Sequence, residues 1–188
     1  MRTQTLTILI CVLGSLLAGC QIAQWQPGGA PHTASDGSFV VHVPGNWMFL
    51  ESAPGRIVAT HDGVFLQRLS VGRHELKEPL SYSKRMLSAG LTPFEVAEAV
   101  ADDLRADHDM LGLEVTENNP VVLDGHPGFS LVVNYHTADN LRVSMQIVGA
   151  IVGPSLYTLV YGGPARYYFE RDRALFQEVV ESFRITGT

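Results

Sequence analysis

Three alternating apolar runs, set close together in the second half, constrain this chain most. Phe129, Leu131, Val133 and Tyr135 alternate with Ser130, Val132, Asn134 and His136. Leu141, Val143, Met145, Ile147 and Ile151 alternate with Arg142, Ser144 and Gln146, and Tyr157, Leu159 and Tyr161 share one face after Gly153-Pro154. A period of two sends successive side chains to opposite faces of a strand. The loops between the runs are too short for crossover helices, so the spacing predicts an antiparallel meander, with Asp124-Gly125 and Pro127-Gly128 turning the chain into it. One face is oily and calls for helices above it. The other carries Ser130, Asn134, His136, Arg142, Ser144, Gln146 and Thr158, and reads as a hydrated sheet face. His136, Arg142 and Gln146 are the candidate ligand contacts should that face line a groove.

Two helical patterns supply the cover. Thr92-Pro93-Phe94-Glu95 is a helix start, because Thr92 can cap the first turn, Pro93 suits the first helical position and Glu95 completes a capping box. Phe94, Ala97, Val100, Ala101, Leu104 and Leu111 follow at three- and four-residue spacing, with an end expected near Gly112. Asp107-His108-Asp109 invites a metal reading, but adjacent helical residues point in different directions, so a solvated face is expected there. The second helix begins between residues 165 and 172 and lays Phe169, Phe176, Val179, Val180 and Phe183 along one stripe.

In the first half, Phe39, Val41 and Val43 alternate with Val40 and His42 as a strand. Residues 56–60 and 64–71 read as a hairpin around the turn signal His61-Asp62-Gly63. His42 and His61 stand without any metal-ligand spacing, so no metal and no cofactor is expected. Residues 72–91 break the strand pattern and hold both lysines of the chain, Lys77 and Lys84, beside Arg85. A long irregular segment in a compact domain is often functional, which makes these three the candidate partner contacts. Ser81-Tyr82-Ser83-Lys84 has the spacing of a penicillin-binding enzyme's Ser-x-x-Lys, yet the other elements of that site are missing and no catalytic residue is assigned.

The first residues tell a separate story. Arg2 precedes an apolar run over residues 6–18, which is shorter than the roughly 20 residues a helix needs to cross a bilayer core, so a cleaved signal fits better than a permanent span. The run ends in Leu17-Ala18-Gly19-Cys20, which resembles a bacterial lipobox. That resemblance implies removal of residues 1–19 and acylation of Cys20, whose acyl chains would moor the protein to a lipid bilayer. Gln21, where an inner-membrane retention signal would place aspartate, favours an outer membrane facing the periplasm in a Gram-negative envelope. Since Cys11 would leave with the signal, no internal disulfide can form and stability must come from burial. The mature chain would carry twelve basic against nineteen acidic residues, a formal charge of −7, which argues against nucleic acid as a partner.

Residues 20–38 are rich in Gln, Pro, Gly, Ala, Ser and His and read as the acylated cysteine and a flexible tether. Trp25 there suits either a membrane interface or loose packing on the domain. Residues 39–188 remain as one domain of about 150 residues, enough to bury roughly two-thirds of its unfolded surface. Phe39-Val40-Val41-His42-Val43-Pro44 with Trp47, Asp124-Gly125-His126-Pro127-Gly128-Phe129, residues 157–161 before Pro164, and residues 176–184 together resemble the PsbP-like fold family. The resemblance implies an α+β (α/β sandwich) domain with a central antiparallel sheet of about six or seven strands flanked by helices. It also implies a non-catalytic accessory or adaptor role, so an envelope protein is the expected partner, with a small-ligand- or metal-binding lipoprotein as the alternative.

Overall fold

A computed structural model of the protein describes residues 24–187. Cys20 and the segment before it lie outside these residues. The described chain forms eleven strands and two helices, in the order β1 (Gln26–Pro27), β2 (Pro31–Thr33), β3 (Phe39–His42), β4 (Met48–Ala53), β5 (Arg56–Thr60), β6 (Arg68–Glu75), α1 (Pro93–Arg105), β7 (Leu111–Leu123), β8 (His126–His136), β9 (Arg142–Val152), β10 (Ser155–Pro164), α2 (Tyr168–Ser182) and β11 (Arg184–Ile185). Eight strands make one antiparallel sheet in the order β1-β4-β5-β6-β10-β9-β8-β7, and β11-β3-β2 make a small second sheet. The fold is an α+β sandwich, as expected, with the meander β8-β9-β10 forming three adjacent inner strands of the large sheet. Phe129 pairs with Gly149 and His136 with Arg142 across the first ladder, and Leu159 with Val148 across the second.

Both faces of the large sheet carry a packed layer, one of them only in part. On one, α2 and the small sheet pack Phe39, Val41, Phe169, Phe176 and Phe183 onto Ile57, Val71, Tyr157, Leu159 and Tyr161. On the other, α1 and the segment after β6 pack Val96, Ala97, Leu76, Leu80 and Leu87 onto Phe129, Leu131, Val133, Ile147 and Leu156. The polar face of the meander is therefore hydrated only toward His136 and Arg142, and Thr158 lies on the opposite face with Leu156 and Val160. Ser130, Ser144 and Gln146 lie buried beneath the α2 layer, where Gln146 Nε2 donates to Ser130 Oγ at 3.0 Å and Ser144 Oγ to Asn134 Oδ1 at 2.6 Å. Cross-strand pairing satisfies these groups without water, and this is what lets aromatic residues of α2 close over them.

Three further expectations are corrected. Residues 26–38 are not a free tether: Gly28 N–H donates to the Trp47 carbonyl at 2.8 Å, Gly29 N–H to that of Val43 at 2.9 Å, and Ala34 is buried. Backbone pairing, which needs no apolar side chains, builds this part of the fold. Thr92 and Glu95 form the capping box, but α1 ends at Arg105, with Phe94 outside its buried stripe. Gly112, at φ +63°, sits within β7 and does not end the helix. Finally, β6 begins at Arg68, because the Gln67 side chain folds back and its Oε1 accepts from His61 N–H at 2.8 Å and Asp62 N–H at 2.9 Å, shaping residues 61–67 into a wide turn.

Candidate functional site

The helix α1 lies over β7 and β8 and leaves the rest of its sheet face open. Strand alternation sends Arg56 and Val58 of β5, Arg68 and Ser70 of β6, and Leu156, Thr158 and Val160 of β10 to that open half, while Ile57, Ala59, Leu69 and Val71 point into the α2 core. The result is a groove of about 480 Å³. Val58, Val160, Met145 and Ile147 form its apolar floor, Val100 and Leu104 of α1 one wall, and Leu80, Ser81 and Tyr82 another.

Charge at the groove is asymmetric. Arg56 and Arg68 are exposed on its lining, and neither makes an ion pair among the described residues, although the chain is acidic overall. Val58 faces Ser70 and Arg56 faces Gly72, so the backbone positions of the two arginines stand about four residues apart along the strands, roughly 13 Å. Arg73, by contrast, is held by Asp36 at 3.5 Å and Glu75 at 3.2 Å. Beside the α1 wall, Asp107 as hydrogen-bond acceptor and then burial push the Tyr82 phenol above its ordinary pKa.

The wall formed by residues 76–91 is ordered by one carboxylate. Asp103, buried on α1, accepts through Oδ1 from Tyr82 N–H at 2.9 Å, Ser83 N–H at 2.7 Å and Ser83 Oγ at 2.8 Å. Leu80 and Leu87 peg the same segment into the second core. Of the residues singled out there, Lys77, Lys84 and Arg85 are all exposed, on the outer side of this wall and not on the groove lining. Lys84 has φ +59° and turns its Nζ onto the Ser81 carbonyl at 2.6 Å, while Arg85 lies 3.7 Å from Asp102. Ser81 and Lys84 thus meet through a main-chain oxygen and not through the hydroxyl that a Ser-x-x-Lys site would activate.

His136, Arg142 and Gln146 occupy one face but not one cavity. Arg142 lines a polar recess of about 270 Å³ with Glu117, Asn134, Ser144 and Arg173, where Arg173 grips Glu117 at 3.0 and 3.1 Å. His136 is not on that lining, and Gln146 is committed to Ser130. Among the described residues no group of three His, Cys, Asp or Glu is placed to hold a metal ion. His74, which lines the large groove, is bonded through Nε2 to the Glu78 carbonyl at 3.0 Å. The groove is thus equipped to bind, with apolar contact, two free cations and the hydroxyl groups of Ser70, Ser81 and Thr158. Sequence reasoning missed Arg56 and Arg68, though the alternation Arg56-Ile57-Val58-Ala59 and Arg68-Leu69-Ser70-Val71 already assigns them to a face opposite the core.

No family model matches this chain, and no curated protein sequence matches it. Solved structures do. The solution structure of cyanobacterial PsbP (CyanoP) from Synechocystis sp. PCC 6803 superposes with a TM-score of 0.55 at 19% identity, covering 90% of this chain and 99% of that one. The Saccharomyces cerevisiae Ran-binding protein Mog1p gives 0.57 at 12% identity over 86% of this chain and 97% of its own. LpqN of Mycobacterium tuberculosis, described as involved in cell envelope biogenesis, gives 0.53 at 15% identity over 87% and 91%. At these identities the likeness shows a shared PsbP- and Mog1-like fold.

Proposed function

We propose that this protein is a lipid-anchored, non-catalytic accessory module of the bacterial cell envelope, residues 1–19 being its signal and Cys20 its acylated mooring, and that it docks an envelope protein partner in the groove beside α1. The observation that carries the docking is the pair of unpaired arginines, Arg56 and Arg68, over a half-covered apolar sheet face in a chain of net charge −6. Arginine presents a planar fork of donors that suits carboxylates, so the partner segment that fits is one with acidic residues flanking apolar ones. Lys77, Lys84 and Arg85 extend the same positive character along the outer wall and are assigned to the rim of the interface. The anchor rests on Leu17-Ala18-Gly19-Cys20, and the placement on the periplasmic side of an outer membrane rests on Gln21. The relatives in fold include a Ran-binding protein and an envelope-biogenesis protein, which supports a binding role over a catalytic one.

The test is site-directed photo-crosslinking in intact envelopes, with the probe at Val58 on the groove floor. A discrete adduct that is lost in the R56E/R68E variant and weakened in the K77E/K84E/R85E variant is the expected result. An adduct that persists unchanged in R56E/R68E would sink the reading.

A further inference from the structure

Strand register gathers an apolar surface at one end of the large sheet. Met48 pairs with Thr60, Arg68 with Gly162, Val143 with Pro164 and Leu111 with His136, so the turn at residues 61–67, the loop at residues 137–141 and the β10–α2 connection all open at the same end. That end exposes Met48, Phe65, Leu66, Leu111, Leu141 and Tyr167, and Phe65 is 97% exposed. The opposite end, with the turns at residues 54–55, 124–125 and 153–154, exposes Val122 and, at the start of α1 beside Pro127 and Ile151, Phe94. Single exposed apolar residues are ordinary, but a cluster at one pole is not.

Phe65 is held out, not left loose. Its turn is fixed by Gln67, whose Oε1 takes the His61 and Asp62 N–H groups and whose Nε2 donates to buried Asp172 at 2.6 Å, while Arg171 clamps Asp172 to Asp62. Free arginines are available at this end. Arg68, Arg142 and Arg166 are exposed and make no ion pair among the described residues, the exposed carboxylates Asp109, Asp139 and Glu170 lie at the same end, and that of Asp62 is matched by Arg171. Covalent geometry adds a third constraint. Gln26 is fixed beside Phe49, and six residue steps of at most about 3.5 Å separate it from Cys20, so an anchor there lies within roughly 21 Å of the sheet edge. The ten residues of β10 alone span about 33 Å, so a tether this short keeps an anchored domain within its own dimensions of the headgroups.

From these observations we infer that the Phe65 end is a membrane-docking surface: Phe65, Leu66 and Leu141 enter the headgroup layer while Arg142 and Arg166 bind lipid phosphates, Arg68 being left to the groove. The inference rests on the anchored reading above, and it orients the groove toward the aqueous compartment along the membrane plane. Arginine binds phosphate by paired hydrogen bonds, and aromatic side chains favour the interfacial zone, so the two residue types at this end suit the two layers they would meet.

The test uses the full acylated chain, in which Cys20 would be blocked and an introduced cysteine would be the free thiol. F65C and V122C variants, each carrying an environment-sensitive fluorophore, are reconstituted in vesicles of phosphatidylethanolamine and phosphatidylglycerol. Blue-shifted emission quenched by spin-labelled lipid in F65C, with water-like emission in V122C, is the expected result. Flotation with the vesicles while both probes stay equally wet overturns the docking surface and leaves the anchor standing. Wild-type chain that takes the label at Cys20 and stays in the soluble fraction overturns both. Shielding in F65C that grows with the protein-to-lipid ratio assigns the surface to a second copy of the chain and overturns the lipid assignment.

Discussion

Replacing Asp103 with alanine should unfasten one wall of the groove without unfolding the domain. Its Oδ1 receives three hydrogen bonds, two from the main chain of Tyr82 and Ser83 and one from the Ser83 hydroxyl. A hydrogen bond to a charged group contributes about 1.5–3 kcal/mol. Three on one oxygen are not additive, and water can reach the freed N–H groups because Tyr82 is exposed. A loss of about 3 kcal/mol in the local opening energy of residues 76–91 is therefore expected, which at about 1.4 kcal/mol per decade is roughly a hundredfold rise in the open population. Lys84 and Arg85 are trypsin sites within that segment, so native-state cleavage between them and the residues that follow reads the opening directly. D103N keeps an acceptor but removes the charge, and should give a smaller rise. Urea unfolding of the whole domain should move less than cleavage does, because the sheet and α2 do not depend on this segment. Equal cleavage rates in D103A and wild type would refute the idea that this carboxylate holds the wall in place.

Further outcomes follow from particular contacts. T92A removes the capping-box hydroxyl that accepts from Glu95 N–H and should cost about 1 kcal/mol in chemical denaturation, with T92G better tolerated. G128A places a methyl group against the Gly149 carbonyl oxygen of the neighbouring strand; overpacking of this kind costs about 1–3 kcal/mol, and a lowered melting temperature checks it. A hydrogen bond from Arg171, more than its charge, holds the Asp62 carboxyl below the usual carboxylate range. The stability it contributes is complete above its ordinary pKa near 3.9 and is lost as pH falls through the lower folded value, so D62N should flatten the acid limb of a melting-temperature profile.

The parts of the fold that local chemistry dictates were open to reading. The meander, the Asp124-Gly125 hairpin turn with Asp124 at φ +47° and Gly125 at φ +81°, and the Thr92 capping box each depend on a few adjacent residues. Strand β7 was not legible, because register shifts between Leu111 and Glu114 and again between Val115 and Glu117 interrupt its alternation, and Glu117, Asn118, Asn119 and Pro120 have the composition of a loop. Such features suit an edge strand that must not pair with another chain. Strands β1 and β2 were hidden for a different reason, since their stabilisation comes from main-chain partners about twenty residues away or less and not from their own side chains. At the groove, residue alternation can assign Arg56 and Arg68 to a face, but only the position of α1 over β7 and β8 decides that this half of the face is left uncovered. Gln146 illustrates the reverse error: polarity suggested solvent, whereas Ser130 across the strand made burial acceptable.

The central claim is that a lipid at Cys20 holds this binding module to a membrane, and the intact mass of protein extracted from its native envelope tests it most directly. The expected species begins at Cys20 and carries the added mass of a diacylglyceryl group, with or without a further acyl chain on its amine. A chain that begins elsewhere, or one with an unmodified thiol at Cys20, would contradict the account.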